Sequence, residues 1–274
     1  MSNFRKAGAR LLCLNTSGSM CKVDSLAIVA HSDDAEILAP RGIIESWTSK
    51  KSFGVVVVND GVGRPRAAAY EGYSNEEMTD LRIREQFAAA RAGGYSFALA
   101  LAYPSSETKE ARNQELIAEL REVLALANPR VVYTHNPWDV HPSHISVLQH
   151  ALWALSGATQ KPDALFGGEV WGPLDRIPDP YLIRWDCTGQ EPRLEELLSY
   201  FASQNAIKDY HHAVMDRRRS HAKLNNPHVT LPATSIHLGV DLTKVLTGEL
   251  TLREFVTACD EAERGQRMAR FIPD

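Results

Sequence analysis

Residues 26–40, LAIVAHSDDAEILAP, constrain the fold more than any other stretch of the chain. Leu26–Ala30 is a short apolar run of strand type. His31, Asp33 and Asp34 follow at its end, and Ile37, Leu38, Ile43 and Ile44 then recur at helical spacing. A strand that passes through a polar turn into a helix is the repeating unit of a parallel α/β layer, and such sheets carry their sites at the carboxyl ends of the strands. The helix is expected from Glu36 to about Trp47, with Pro40 near its first turn, where a missing N–H costs least.

An imidazole and a carboxylate three positions apart on a tight turn can reach one divalent metal, and zinc accepts nitrogen and carboxylate oxygen together. Adjacent side chains point apart, so one of Asp33 and Asp34 can ligate while the other acts as a base toward water. The plainer reading is that Ser32, Asp33 and Asp34 only cap the following helix. The turn alone leaves the two readings balanced.

The exchange of strand and helix repeats. Strands are expected at Phe53–Val58, Phe97–Ala102 and Val131–Thr134, and helices at Ser74–Gly93, capped by Asn75, and Lys109–Ala127, after a YPSSE loop. This predicts an α/β, Rossmann-like three-layer fold with a mainly parallel central sheet. Right-handed crossovers then bring the segment Tyr133–His144, YTHNPWDVHPSH, to the same rim as His31. Of His141 and His144, one can complete a metal site begun by His31 and Asp34, and the other can polarise a substrate oxygen or exchange a proton. His135 reads at least as well as a core or supporting residue. The loop Asn59–Arg66 lacks a Walker lysine and a full dinucleotide fingerprint, so it reads as a substrate-side loop with Arg64 among its candidates. Trp138, inside the histidine loop, is a candidate for stacking on a sugar face.

The second half is less regular. A loop is expected at Gly167–Pro180, a strand at Tyr181–Asp186, a helix from Leu194 to Phe201 and a loop at Asn225–Pro232. Alternation at Ile236, Leu238 and Val240 gives a strand, and Leu242–Leu250 and Leu252–Glu261 give two terminal helices. Tyr210, His211, His212 and the run Arg217–Arg219 have two readings: a place near substrate or, more cheaply, a solvated helix or a homo-oligomer contact. The first 23 residues hold a strand at Ala9–Leu14 or form an arm. One domain over 1–274 is expected, with a catalytic core near 24–156 and an elaboration over 167–274.

A net charge of -4 removes the global electrostatic case for a nucleic-acid partner. Cys13, Cys21, Cys187 and Cys259 form no CxxC pair, so a disulfide framework is not expected, although Cys13 and Cys21 are close enough in sequence to pair. No apolar run reaches membrane length, and a cytoplasmic location is the expectation.

Three segments together resemble the LmbE-like, or PIG-L-type, metal-dependent N-deacetylase family: AHSDDAE (30–36) for its AHPDD signature, HPSH (141–144) for its HPDH, and LRIREQFAAARAGG (81–94) for its arginine- and glutamate-containing helix. The resemblance implies that His31, Asp34 and His144 ligate Zn2+ or another divalent transition metal, that Asp33 is the base, that His141 stabilises or protonates the reacting amide, and that Arg82 binds substrate. Ser32 replaces the usual proline and Ser143 the usual aspartate, which leaves Asp139 to orient His141. The implied activity is hydrolytic N-deacetylation of an N-acetylated amino sugar or a small molecule containing one. The alternatives are a nonenzymatic sugar- or metabolite-binding protein on the same fold and a phosphate-ester hydrolase.

Overall fold

The computed structural model describes residues 4–14, 18–63, 66–224, 230 and 232–271, the last six of them by backbone alone. Its strands are β1 (Arg10–Cys13), β2 (Ser25–Val29), β3 (Phe53–Asn59), β4 (Phe97–Tyr103), β5 (Val131–His135), β6 (Ala164–Gly168), β7 (Leu182–Asp186) and β8 (Ile236–Asp241). They join in the order β1-β4-β3-β2-β5-β6-β8-β7. The central strands from β4 to β6 are parallel, while β1 pairs β4, β8 pairs β6 and β7 pairs β8 antiparallel. Every residue of β2, β3 and β4 is buried, as it must be where helices cover both faces.

The helices are α1 (Asp34–Leu38), α2 (Pro40–Thr48), α3 (Asn75–Gly93), α4 (Ser105–Thr108), α5 (Gln114–Ala127), α6 (Pro142–Ser156), α7 (Glu191–Ser199), α8 (Ala202–Asn205), α9 (Tyr210–Leu224), α10 (Thr243–Thr247) and α11 (Leu252–Phe271). Strand alternation divides them into two layers. Leu26 and Ile28 face Leu120 of α5 and Leu148 of α6, whereas Ala27 and Val29 face Leu38 of α1, Ile43 of α2 and Met215 of α9. The expected Rossmann-like three-layer architecture is therefore present.

Several local expectations are corrected. The helix expected from Glu36 to Trp47 is two helices broken at Ala39 (φ -118°, ψ 39°), because Pro40 opens the second and cannot continue the first. Ser74, not Asn75, caps α3: its side chain accepts from the Glu77 N–H while the Glu77 carboxylate accepts from the Ser74 N–H. The helix expected from Lys109 starts at Gln114, where the Asn113 side chain accepts from the Leu116 N–H, and part of the YPSSE segment forms the single turn α4. Gly167 and Gly168 end a strand rather than begin a loop. Cys13 and Cys21 are free thiols. The expected loop at Asn225–Pro232 lies largely outside the described residues. Among those residues no helix is long and apolar enough to cross a membrane.

Gly168 lies where β6 packs closely against α1. A methyl there would overlap the Leu38 carbonyl oxygen and come within 2.7 Å of the Leu38 Cβ. Gly168→Ala is expected to cost about 1–3 kcal/mol through overpacking. Gly72→Ala, which meets nothing within 4 Å, is expected to be neutral; denaturant unfolding of both compares them directly.

Candidate metal centre

The turn after β2 is built on an unusual backbone. Asp33 lies at φ 89°, a left-handed conformation that costs a non-glycine residue on the order of 1–3 kcal/mol and is typically retained at functional sites. It is held from within: the Asp33 N–H donates to Gln86 Oε1 (3.3 Å), the Gln86 amide donates to Glu36 Oε1 (2.9 Å), and the Tyr95 hydroxyl donates to the same oxygen (2.9 Å). Burial pushes the Glu36 carboxyl up to about 8 despite these bonds, so it carries a proton at neutral pH.

The atoms of the centre converge on one point. His31 Nδ1 lies 3.2 Å from Asp34 Oδ2 and 3.2 Å from His144 Nε2, and His144 Nε2 lies 3.4 Å from Asp34 Oδ2. A tetrahedral ion with bonds of about 2.0–2.1 Å holds its ligand atoms roughly 3.3–3.4 Å apart. One proton satisfies only one edge of such a triangle, whereas a divalent cation satisfies all three corners. The donor set therefore fits zinc. All three side chains are nearly inaccessible, and the His31 N–H further fixes Asp34 Oδ2 at 2.7 Å. Burial opposes ionisation of Asp34, but the facing imidazoles of His144, His31 and His135 outweigh it and hold the carboxyl well below its usual range.

Ligand atoms of Asp34, His135 and His144, and of His31, His141 and His144, also fall within 4.8 Å of one another. His135 is a poor ligand because its Nε2 accepts the Ala30 N–H at 2.9 Å; its ring stacks on His144 with centroids 3.9 Å apart. Burial keeps it neutral, pulling its pKa well below normal. His141 Nδ1 accepts the Ser143 N–H at the start of α6, and its ring meets His31 edge-on at 4.9 Å. That position, half-buried at the cleft, suits a proton donor better than a fourth ligand.

Asp139 does not orient the His141 ring as expected. Its Oδ2 lies 3.1 Å from His144 Nδ1, while Oδ1 accepts the backbone N–H of His141 at 2.9 Å. A carboxylate on the far nitrogen of a ligating histidine fixes tautomer and ring plane. The Ser143 side chain takes no part in this; its buried hydroxyl lies 3.4 Å from that of Ser105 in α4.

A cleft of about 350 Å³ opens on the centre, lined by Asn59, Asp60, Gly61, Ser105, Lys109 and His141. Of the expected substrate residues that lie among the described ones, Arg82 and Trp138, neither lines it. Arg82 is 2% exposed and packs beneath Gly61, where a Cβ would meet its Cδ at 2.8 Å. Trp138 packs on Phe255 of α11 and donates from Nε1 to Asp260 at 3.4 Å. Arg64 lies outside the described residues.

The run Arg217–Arg219 is not a solvated face. Arg218 is buried and donates to the carbonyl oxygens of Glu36 (3.0 Å) and Ile37 (2.9 Å), Arg217 donates to that of Val170, and Arg219 alone pairs at the surface, with Asp216. Buried and solvated arginines leave the same mark in a sequence. A second cluster, Glu169, Asp175 and His221, has Arg217 3.9 Å from Glu169 as its counter-charge and is explained without an ion.

These features define a Rossmann-like α/β protein with a two-histidine, one-aspartate centre at the carboxyl rim of its sheet. Residues 26–155, which include the whole centre, match the family described as PIG-L: GlcNAc-PI de-N-acetylase, in line with the resemblance carried by the AHSDDAE and HPSH segments. Its fold is similar to that of the conserved protein TT1542 from Thermus thermophilus (20% identity, TM-score 0.60, covering 80% of this chain and 94% of that one). It is similar also to N,N'-diacetylchitobiose deacetylase from Pyrococcus horikoshii (15%, 0.62, 80% and 84%) and to GalB, the 4-carboxy-2-hydroxymuconate hydratase of Pseudomonas putida (18%, 0.61, 80% and 96%). At these identities the likeness is one of fold. No curated protein sequence matches the chain.

The surroundings of the centre can be tested in two ways. Asp139→Asn, by loosening His144, is expected to weaken zinc retention roughly 10–100-fold, read by competition with a chelating dye. The proton on Glu36 stabilises the fold fully below the ordinary carboxylate pKa, and this contribution is lost as pH rises through about 8. The stability of Glu36→Gln relative to wild type should therefore rise between about pH 5 and pH 9, by on the order of a few kcal/mol in denaturant titrations.

Proposed function

We propose that this protein is a zinc-dependent amide hydrolase that removes the acetyl group from an N-acetylated amino sugar or a small molecule containing one. The observation that carries the reading is the triangle of His31 Nδ1, Asp34 Oδ2 and His144 Nε2, with edges of 3.2–3.4 Å, beside a second aspartate. A zinc ion held there would supply Lewis acidity toward water and toward the amide carbonyl.

The remaining chemistry belongs to side chains. Asp33, directed apart from Asp34 by its positive φ, takes the proton of the attacking water. His141, whose Nδ1 accepts the Ser143 N–H, donates a hydrogen bond from its other ring nitrogen to the amide oxygen as that oxygen gains negative charge, and the proton collected by Asp33 passes to the leaving amine. Asn59, Asp60, Ser105 and Lys109 give the cleft a polar lining that suits the hydroxyl groups of a sugar. The family description and a chitobiose deacetylase among the fold relatives support the same substrate class.

A second reading is hydration of an unsaturated carboxylate with the same base. The fold likeness to a hydratase supports it, and Lys109 at the cleft is the kind of cation such a substrate would call for. Incubating zinc-loaded protein with N,N'-diacetylchitobiose and with an unsaturated dicarboxylate separates the two. Acetate and free amine are the expected products; hydration with no acetate release would reverse the order of the readings. Asp33→Asn is expected to lower kcat about 10²–10⁴-fold while retaining zinc, and Asp34→Asn to lose the zinc itself. Matched metal analysis and acetate assays check both.

A further inference from the structure

The proposed base touches the second half of the chain, well outside the span that matches the family. The hydroxyl of Tyr210, the first residue of α9, donates to Asp33 Oδ2. Its helix is fixed from behind. Arg218, about two turns further on, donates from full burial to the carbonyl oxygens of Glu36 and Ile37, and Gln204, just before α9, donates to the carbonyl oxygen of Ser32. The phenol ring rests against Trp171, with centroids 6.0 Å apart, in an apolar wall completed by Ile37, Val170 and Val214. A helix anchored to α1 thus delivers a hydroxyl to the one carboxylate assigned to proton transfer.

A carboxylate that collects a proton has to present a lone pair in one direction, yet the terminal torsion of aspartate is broad and roughly two-fold. A charge-assisted hydrogen bond to one oxygen sets the plane of both. We infer that Tyr210 is a positioning residue for the hydrolysis, acting through Asp33, so that the site is completed by α9. The inference rests on the reading of Asp33 as the base.

Tyr210→Phe keeps the ring and removes only the hydroxyl. With zinc-loaded enzyme and N,N'-diacetylchitobiose, kcat is expected to fall roughly 10-fold or more while KM stays within about twofold. Zinc content and unfolding midpoint should not change. In an Asp33→Asn background the same substitution should cost nothing further, since the group it acts through is gone. Unchanged kcat, a rise in KM alone, loss of zinc or fold in Y210F, or a full additional loss on top of D33N overturns the inference. A crystal structure of the zinc-loaded protein tests it without turnover: the Tyr210 oxygen within hydrogen-bond reach of Asp33 supports it, and a separation beyond about 4 Å overturns it. If D33N keeps full activity, the assignment of the base has failed; if D33N is inactive and Y210F is not impaired, only the role of Tyr210 has.

Discussion

Parallel pairing of β2 with β5 is the contact on which the centre depends. Ser25, Leu26 and Ala27 stand opposite Val131, Val132 and Tyr133, so the two strands end nearly level and their loops leave side by side. Beyond the ladder the join continues through side chains: Thr134 Oγ1 donates to the Ile28 carbonyl oxygen at 2.9 Å, and His135 accepts from Ala30. The chain runs outward from β2 to β3 and β4 on one side and returns to place β5 on the other. This is the switch point at which open α/β sheets form a crevice. Two histidines 113 positions apart in sequence meet there at 3.2 Å.

The electrostatic arrangement follows from that meeting. Burying Asp34 would favour its neutral form, and the imidazoles around it, with the backbone N–H of His31 on Oδ2, keep the carboxylate charged. His135, stacked behind His144, is itself kept neutral by burial. Asp139 closes the far side of His144. Such a concentration of buried polar atoms is costly for an empty protein and well suited to one that collects a cation. The left-handed Asp33 and the protonated Glu36 are the local costs of keeping a second carboxylate beside the first.

Much of this was legible in the sequence because the relevant signals are short-range. Uninterrupted apolar runs such as Phe53–Val58 are buried on both faces and can hardly be anything but central strands, and the AHSDDAE and HPSH segments carry their chemistry within a few residues. The signals that misled are those in which a local pattern has two physical outcomes. Asn75 and Ser74 are both good caps, and only the reach of Glu77 decides between them. The glycine pair 167–168 looks like a loop, yet it is a strand end pressed against α1. Asp139 was legible as a supporting carboxylate but not in its partner, because the direction of its side chain is set by the turn before α6. Arg82, Arg218 and Trp138 show the same limit: a long side chain carries no mark in sequence of whether it ends in a cleft, under a loop or against a helix.

The central claim is that His31, Asp34 and His144 collect one metal ion, and diffraction from zinc-loaded crystals on either side of the zinc absorption edge tests it most directly. The account predicts an anomalous peak bonded to His31 Nδ1, Asp34 Oδ2 and His144 Nε2, with Asp139 still on the far nitrogen of His144. A peak confined to the Glu169–Asp175–His221 cluster or the exposed Asp209–His211–His212 group, with those three side chains left without an ion, would contradict it.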